Sequence, residues 1–414
     1  MKGERCMKTY KKVVLAYSGG LDTSIIIRWL IETYHCEVIA CCIDLGSVEG
    51  GEKTFEAIQK KAIATGAKKC YVIDAKKEFA TDYLFPALKA RAVYEGKYLL
   101  ATSLARPLIA KKIIEIARKE KADAVSHGAT GKGNDQVRFE IGFRTLYPGI
   151  AIIAPWREWN IRSREDAIDY AQKFNIPIPV TKSKPYSSDA NMWHISYEGG
   201  ILENLEEPYP EDMFQITVSP QKAPNKPQKI KIDFEAGIPT HVNNQKLNPV
   251  DLILKLNELG GKNGVGRIDI VENRLVGMKS RGVYECPAAT LLYNAHRELE
   301  SLSLDRETFH FKESIIPLIG KLIYNGLWFS TLRESLFTLI DFTQKYVSGS
   351  IELELFKGNI KMTSRKAKHS LYWEQLSTFG YSGEAIYDHK DSEGFIKLFG
   401  LPHTVESYLR NFKK

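Results

Sequence analysis

From residue 13 to about 174, short apolar β-rich runs alternate with amphipathic stretches, the pattern of a parallel sheet covered by helices. The runs predict strands at 13–17, 38–45, 70–73, 124–127 and 151–154, each short and apolar enough to be buried on both faces. The segment 23–34 carries Ile25, Ile26, Ile27, Trp29, Leu30 and Ile31 nearly all round, which predicts a helix packed between the sheet and a further layer. In 104–121 the apolar positions Leu104, Leu108, Ile109, Ile113 and Ile116 form one stripe, while Lys112, Glu115 and Lys119 take another face.

The pattern changes near Pro177-Ile178-Pro179, and a turn-rich stretch follows, punctuated by prolines at 219–227. Beyond it the signals are mixed: paired strands over 264–278, a helix over 287–304, and a mostly helical stretch at 314–343 with breaks at Pro317, Gly320 and Gly326. An alternating stretch at 345–363 predicts a hairpin, and 403–414 a short closing helix that packs on a neighbouring subunit. The fold class is therefore α/β: a domain at 1–175 with a parallel sheet flanked by helices, an α+β domain at 176–373, and a tail at 374–414.

A length of 414 residues fits two domains better than one core. With 43% hydrophobic and 26% charged residues the composition is that of a packed globular enzyme. The apolar stretch at 25–31 is interrupted by Arg28, and no run reaches the ~20 residues of a membrane span. The start Met-Lys-Gly-Glu-Arg-Cys is unlike a secretory signal, so a cytoplasmic location is expected. Cys6, Cys36, Cys41, Cys42, Cys70 and Cys286 form no C-x-x-C pair and read as buried free thiols. A net charge of +8 suits a nucleotide or nucleic acid, but the lysines, such as Lys111, Lys112 and Lys119, are spread over helical stretches and form no block.

Two loops carry the chemistry. Ser18-Gly19-Gly20-Leu21-Asp22-Thr23-Ser24 lies between the first strand and the first helix, where glycines let the backbone approach a ligand and the helix start presents unpaired N–H groups. Phosphate fits that position: Ser18, Thr23 and Ser24 add hydroxyls, and Asp22 either caps the helix or approaches a phosphate-bound Mg2+. The loop is neither G-x-x-x-x-G-K-[ST] nor G-x-G-x-x-G. After the fourth strand comes a second glycine-rich loop, 127–138, which can meet the first because loops at the carboxyl ends of parallel strands line one crevice. In it Gly128 could pass the adenine or ribose and Lys132 could neutralise pyrophosphate, while Asn134, Asp135 and Arg138 offer an amide, a carboxylate and a guanidinium.

The first loop resembles the SGGxDS/T loop of the N-type ATP pyrophosphatases, which cleave ATP between its α- and β-phosphates. Five segments narrow the resemblance to the argininosuccinate synthase family: A-Y-S-G-G-L-D-T-S at 16–24, Y-L-L-A-T-S-L-A-R-P at 98–107, H-G-A-T-G-K-G-N-D-Q-V-R-F-E at 127–140, H-I-S-Y-E at 194–198, and G-V-G-R-I-D-I-V-E-N-R with G-M-K-S-R-G-V-Y-E within 264–285. The resemblance implies ligation of citrulline and aspartate with ATP and Mg2+, through a citrullyl-adenylate, giving argininosuccinate, AMP and pyrophosphate in arginine biosynthesis. It implies a nucleotide-binding first domain, a synthetase second domain and a homotetramer with an oligomerising tail, without nucleic-acid or membrane partners.

Residue by residue, the resemblance places ATP against Ala16, Tyr17, Ser18, Gly19, Gly20, Leu21, Asp22, Thr23, Ser24, Ile43 and Gly128, with Ser18 and Lys132 on the pyrophosphate charge. Citrulline falls to Tyr98, Ser103, Asn134, Arg138, Ser187, Ser196, Glu272 and Tyr284, and aspartate to Thr130, Asn134 and Asp135. Arg106 joins the aspartate set from its charge, and Asp135 suits the incoming amine. The chain departs from the family at Asp44-Leu45-Gly46-Ser47-Val48-Glu49-Gly50-Gly51, where relatives often have a shorter loop with glutamine after the glycine, and in the residues ahead of the first strand.

By pattern alone, Glu272 fits a solvated strand face, Tyr98, Ser103 and Tyr284 fit satisfied core positions, and His127 and His194 fit local hydrogen bonding. Two other activities use similar parts. A tRNA-modifying ATP pyrophosphatase would want a cysteine pair or a basic, aromatic-rich appendage, and neither is evident. A non-catalytic ATP-binding regulator would release no pyrophosphate.

Overall fold

The computed structural model describes residues 9–47, 55–161, 163–177, 186–378 and 387–412, without the side chain of Arg164. The chain divides into two compact units, Met1–His369 and Ser370–Lys414. Cys6 and the departures at 48–51 and ahead of residue 9 lie outside the described residues, as do Ile178 and Pro179, where the sequence pattern changes.

All five expected strands form: β1 (Lys12–Ala16), β2 (Glu37–Asp44), β3 (Lys69–Asp74), β4 (Ala124–Ser126) and β5 (Ala151–Ile153). They pair in parallel in the order β3-β2-β1-β4-β5. Alternation along β1 sends Val13 and Leu15 to one face and Val14 to the other. The first face packs on helix Leu21–Tyr34 through Ile25, Ile26, Ile27 and Leu30, and Ala167 and Ala171 of helix Arg164–Lys173 share that core, which is why the first helix is apolar on more than one side. On the second face, Ile113 and Ala117 of helix Ala101–Glu120 and Phe139 and Phe143 of helix Asp135–Leu146 cover Val14, Ile39 and Val125.

Two antiparallel sheets build the later half. β6 (Ser187–Asn191), β7 (His194–Glu198), β11 (Arg267–Asn273) and β12 (Lys279–Glu285) pair in the order β11-β12-β7-β6, and β8 (Gln228–Glu235), β9 (Ile238–Val242), β10 (Gln245–Lys246), β13 (Gly349–Phe356) and β14 (Asn359–Ala367) in the order β10-β9-β8-β13-β14. The largest core crosses the halves: Phe79, Tyr83, Phe85 and Leu88 pack with Leu252, Leu291, Ile319 and Leu353.

Several expectations need correction. The strands sought within 264–278 are β11 and a turn, and the partner β12 begins only at Lys279. Helix Arg306–Tyr324 runs through Pro317 and Gly320, and the break falls at Gly326, whose φ is 77°. Gly320 serves proximity here, since a Cβ would sit 2.1 Å from the Val93 carbonyl oxygen. The closing helix starts earlier than 403, spanning His389–Asn411 through Gly394, Gly400 and Pro402. Cys36, Cys41, Cys42, Cys70 and Cys286 are buried free thiols, and burial pushes Cys42 up to about 12.

Candidate active site

The strand order reverses between β1 and β4, and the two glycine loops leave the carboxyl ends of those neighbouring strands. In the first loop Gly19 has φ 75°, and a Cβ there would meet Ile58 Cγ1 at 3.1 Å, so the turn needs glycine on two counts. The helix that follows has Gly20 at its N-cap and no side-chain cap, which leaves its positive end to an anion. Ser18 Oγ lies 3.1 Å from Thr23 Oγ1 and 3.4 Å from the Gly20 nitrogen. Ser24 is wholly buried, and its hydroxyl donates to the Gly20 carbonyl at 2.7 Å, so it stiffens the loop from within. A Cβ on Gly128 would stand 3.0 Å from Thr23 Cγ2, which puts the second loop directly on the first helical turn. Beside it His127 is fully buried, accepts from the Ala129 N–H at 3.2 Å and faces Glu140 at 3.4 Å, the local hydrogen bonding expected of it.

Beyond the second loop opens a polar cavity of ≈ 220 Å³ whose wall includes Tyr98, Arg106, Gly128, Thr130, Asn134, Asp135, Arg138, Ser196, Glu272 and Tyr284. Both halves of the chain supply it: helices Ala101–Glu120 and Asp135–Leu146 bring Arg106, Asp135 and Arg138, whereas β7, β11 and β12 bring Ser196, Glu272 and Tyr284. Tyr98 and Tyr284 stack with centroids 4.8 Å apart. His194 lies flat against Tyr284 at 5.5 Å and contacts Thr102 Oγ1 at 2.9 Å; burial and then Arg106 hold it down to about 3, so its ring is neutral at ordinary pH.

Charge is arranged in pairs around this space. Arg106 Nε donates to Asp135 Oδ2 at 2.9 Å and Nη2 to Asp189 Oδ2 at 2.6 Å, while Arg138 Nη1 donates to Asp135 Oδ1 at 2.8 Å. Burial alone would raise the Asp135 pKa, but the two guanidiniums override it and bring it to about 2. Arg274 bridges Glu198 at 2.6 Å and the Lys132 carbonyl at 3.2 Å, fastening the second loop to the hairpin β11–β12. Glu272 is treated differently. Burial pushes it up to about 7 against the opposing pull of Arg138 and the Tyr324 hydroxyl, and its Oε2 has no hydrogen-bond partner. A buried carboxylate oxygen without a donor suits a ligand's ammonium.

Ser103, Ser187, Ile43 and Lys132 are not part of the cavity wall. Ser103 is fully buried behind it, next to Tyr98. Ser187 opens β6 and is exposed, and Ile43 lies at the carboxyl end of β2 beside β1. Lys132 is exposed. Sequence reasoning missed Thr102, Asp189, Glu198 and Arg274, which also line the cavity, and Tyr324, whose hydroxyl accepts from Asn134 Nδ2 at 2.8 Å. Thr102, Glu198 and Arg274 stand inside or at the end of the family segments and were findable there; Tyr324 merely ends an amphipathic helix and carries no such mark.

Among the described residues no group of three or more His, Cys, Asp or Glu side chains could hold a metal ion. No described helix is long and apolar enough to cross a membrane.

Residues 12–177 match the family described as Arginosuccinate synthase N-terminal HUP domain, and residues 186–406 that described as Arginosuccinate synthase C-terminal domain. The chain is 61% identical over 405 residues to an argininosuccinate synthase of Endomicrobium trichonymphae, covering 98% of this chain and 97% of that one. A Clostridium novyi protein of the same name is 56% identical over 400 residues, covering 97% and 98%. A solved U34-tRNA thiolase from Methanococcus maripaludis shares 18% identity at a TM-score of 0.28 over 44% of this chain and 64% of its own, too slight a likeness to bear on fold or function.

Proposed function

The chain belongs to the argininosuccinate synthase family of ATP-using ligases, and from that premise we propose that it joins L-citrulline to L-aspartate through a citrullyl-adenylate, in arginine biosynthesis. The observation that carries the reading is the cavity itself: a Glu272 carboxylate whose Oε2 lacks a hydrogen-bond partner and a set of guanidiniums stand together beside a glycine loop packed on a helix start without a side-chain cap.

A ureido carbon is a poor electrophile. If the ureido oxygen attacks the α-phosphorus of ATP, pyrophosphate leaves, and the oxygen becomes part of an AMP leaving group that the aspartate amine can displace. The protein then has mainly to place reactants and stabilise phosphate charge. The uncapped N-terminus of helix Leu21–Tyr34, with Ser18 and Thr23, suits the phosphates, and the backbone near Ile43 and Gly128 suits the nucleoside. Glu272 would hold the citrulline ammonium, with Arg138, Asn134, Ser196, Tyr98 and Tyr284 around the same molecule.

Thr130, Asn134, Asp135 and Arg106 suit aspartate. With a pKa of about 2, Asp135 stays ionised and cannot take the proton of an ammonium; its chemistry is to fix Arg106 and Arg138 and to accept a hydrogen bond from the amine. Mg2+ fits as an ion that arrives on the ATP phosphates with Asp22, in the first turn of the helix, as its nearest carboxylate in sequence. When bound it would screen the β- and γ-phosphates.

We also read the protein as a cytoplasmic homotetramer. Phe395, Leu398, Phe399 and Leu409 on helix His389–Asn411 are exposed, which favours a helix that meets another subunit.

The test is formation of AMP and pyrophosphate from ATP and Mg2+ with citrulline and aspartate supplied singly and together, with mass detection of the product. Argininosuccinate that appears only with both amino acids is expected. An intact, ATP-binding preparation that makes none refutes the assignment of the acceptor.

A further inference from the structure

Tyr324 closes helix Arg306–Tyr324 and is wholly buried, outside the cavity wall, yet it touches the wall from behind at several points. Its hydroxyl accepts from Asn134 Nδ2 at 2.8 Å, its carbonyl accepts from Arg138 Nε at 2.8 Å, and the Arg138 guanidinium lies 4.8 Å from the centre of its ring. The ring has aromatic neighbours as well: Tyr94 stacks on it with centroids 3.6 Å apart at 7°, and Tyr98 meets it edge-on at 6.1 Å. Asn134 is held at its other end by the Leu275 N–H, which donates to Oδ1 at 2.8 Å.

We propose that Tyr324 is a positioning residue for the citrulline pocket: its hydroxyl orients the Asn134 amide, and its carbonyl sets the Arg138 guanidinium. The inference rests on the assignment of that pocket to citrulline. A Tyr324→Phe variant removes the hydroxyl alone: the Asn134 amide loses its acceptor, while the main-chain carbonyl still receives Arg138 Nε. Phenylalanine keeps the ring, and with it the stacking on Tyr94 and the cation contact with Arg138.

The experiment compares wild-type and Tyr324→Phe enzyme, with ATP, Mg2+, citrulline and aspartate, as KM for citrulline and for ATP between pH 6 and 9, beside a thermal melt. A rise of about threefold to tenfold in KM for citrulline is expected, as for loss of a hydrogen bond between neutral groups. The KM for ATP should stay within twofold. In an Asn134→Ala background, Tyr324→Phe should add nothing further to KM for citrulline. A variant that melts like the wild type but keeps its citrulline KM within twofold overturns the inference, as does an equal loss for ATP and citrulline. Wild-type enzyme that makes no argininosuccinate refutes instead the assignment on which the inference rests.

Discussion

Replacing Glu272 by glutamine should make the ligand-free protein more stable above neutral pH while weakening citrulline binding. Glu272 is 7% exposed, Oε2 lacks a partner, and burial lifts its pKa from 4.5 to about 7. Between those values the folded state binds the proton more tightly than the unfolded chain, so stability falls as pH rises through the window and levels off above about 7. The gap of about 2.5 units corresponds to roughly 3 kcal/mol of destabilisation at pH 8, of which less than about 1 kcal/mol remains at pH 5. Glutamine does not titrate and lacks this loss. Urea unfolding of both proteins without ligand should therefore show the variant gaining about 2–3 kcal/mol on the wild type between pH 5 and pH 8. The same change removes a charged partner for the ammonium, and KM for citrulline should rise about tenfold to a hundredfold. Saturating citrulline should flatten the wild-type pH dependence, because a bound ammonium favours the ionised carboxylate. A stability difference that is constant with pH would refute the claim that Glu272 is held against its own ionisation.

Gly19→Ala should lower stability by about 1 kcal/mol and raise KM for ATP several-fold, since it forces a side chain to φ 75° against Ile58, whereas Gly20→Ala, which meets only Ser18 Oγ at 3.4 Å, should leave the thermal melt of the ligand-free protein nearly unchanged. Asp135→Asn should impair the aspartate-dependent step more than ATP binding and destabilise the fold by a few kcal/mol, because Arg106 and Arg138 lose their shared anion; unchanged turnover and melting would exclude that role. In the wild type, the Asp135 contribution should be complete above pH 3.8 and disappear as pH falls through about 2, which acid titration of the two proteins can separate. Leu398→Glu with Leu409→Glu should reduce the mass measured by light scattering if the terminal helix meets another subunit, and an unchanged mass would place the interface elsewhere.

Glu272 shows why the candidate site was only partly legible. Its type and segment pointed to a ligand role, but a strand reading Ile268, Ile270 and Val271 could equally have turned it to solvent. Burial depends on what packs over β11, which residue spacing does not record. Arg106 was noted for its charge, yet its two anions come from Asp135 and Asp189, far along the chain. The later strands β6 to β10 and the true extent of helix His389–Asn411 also escaped, where short alternation or internal glycine and proline gave weak local signals.

By itself the sequence determined the five-stranded parallel sheet, because strands buried on both faces must be short apolar runs, and it determined the two glycine loops, because close backbone approach and a φ of 75° leave few alternatives to glycine. Both are local requirements, written in neighbouring residues. Only the tertiary structure decided that these loops meet at the reversal of strand order, that three arginines are each matched to an acid, that Glu272 is left without a donor at Oε2, and that Tyr324 stands behind Asn134 and Arg138. Those features depend on burial and on distances between groups as many as 190 residues apart, and electrostatics in a low-dielectric interior follows distance in space and not separation along the chain.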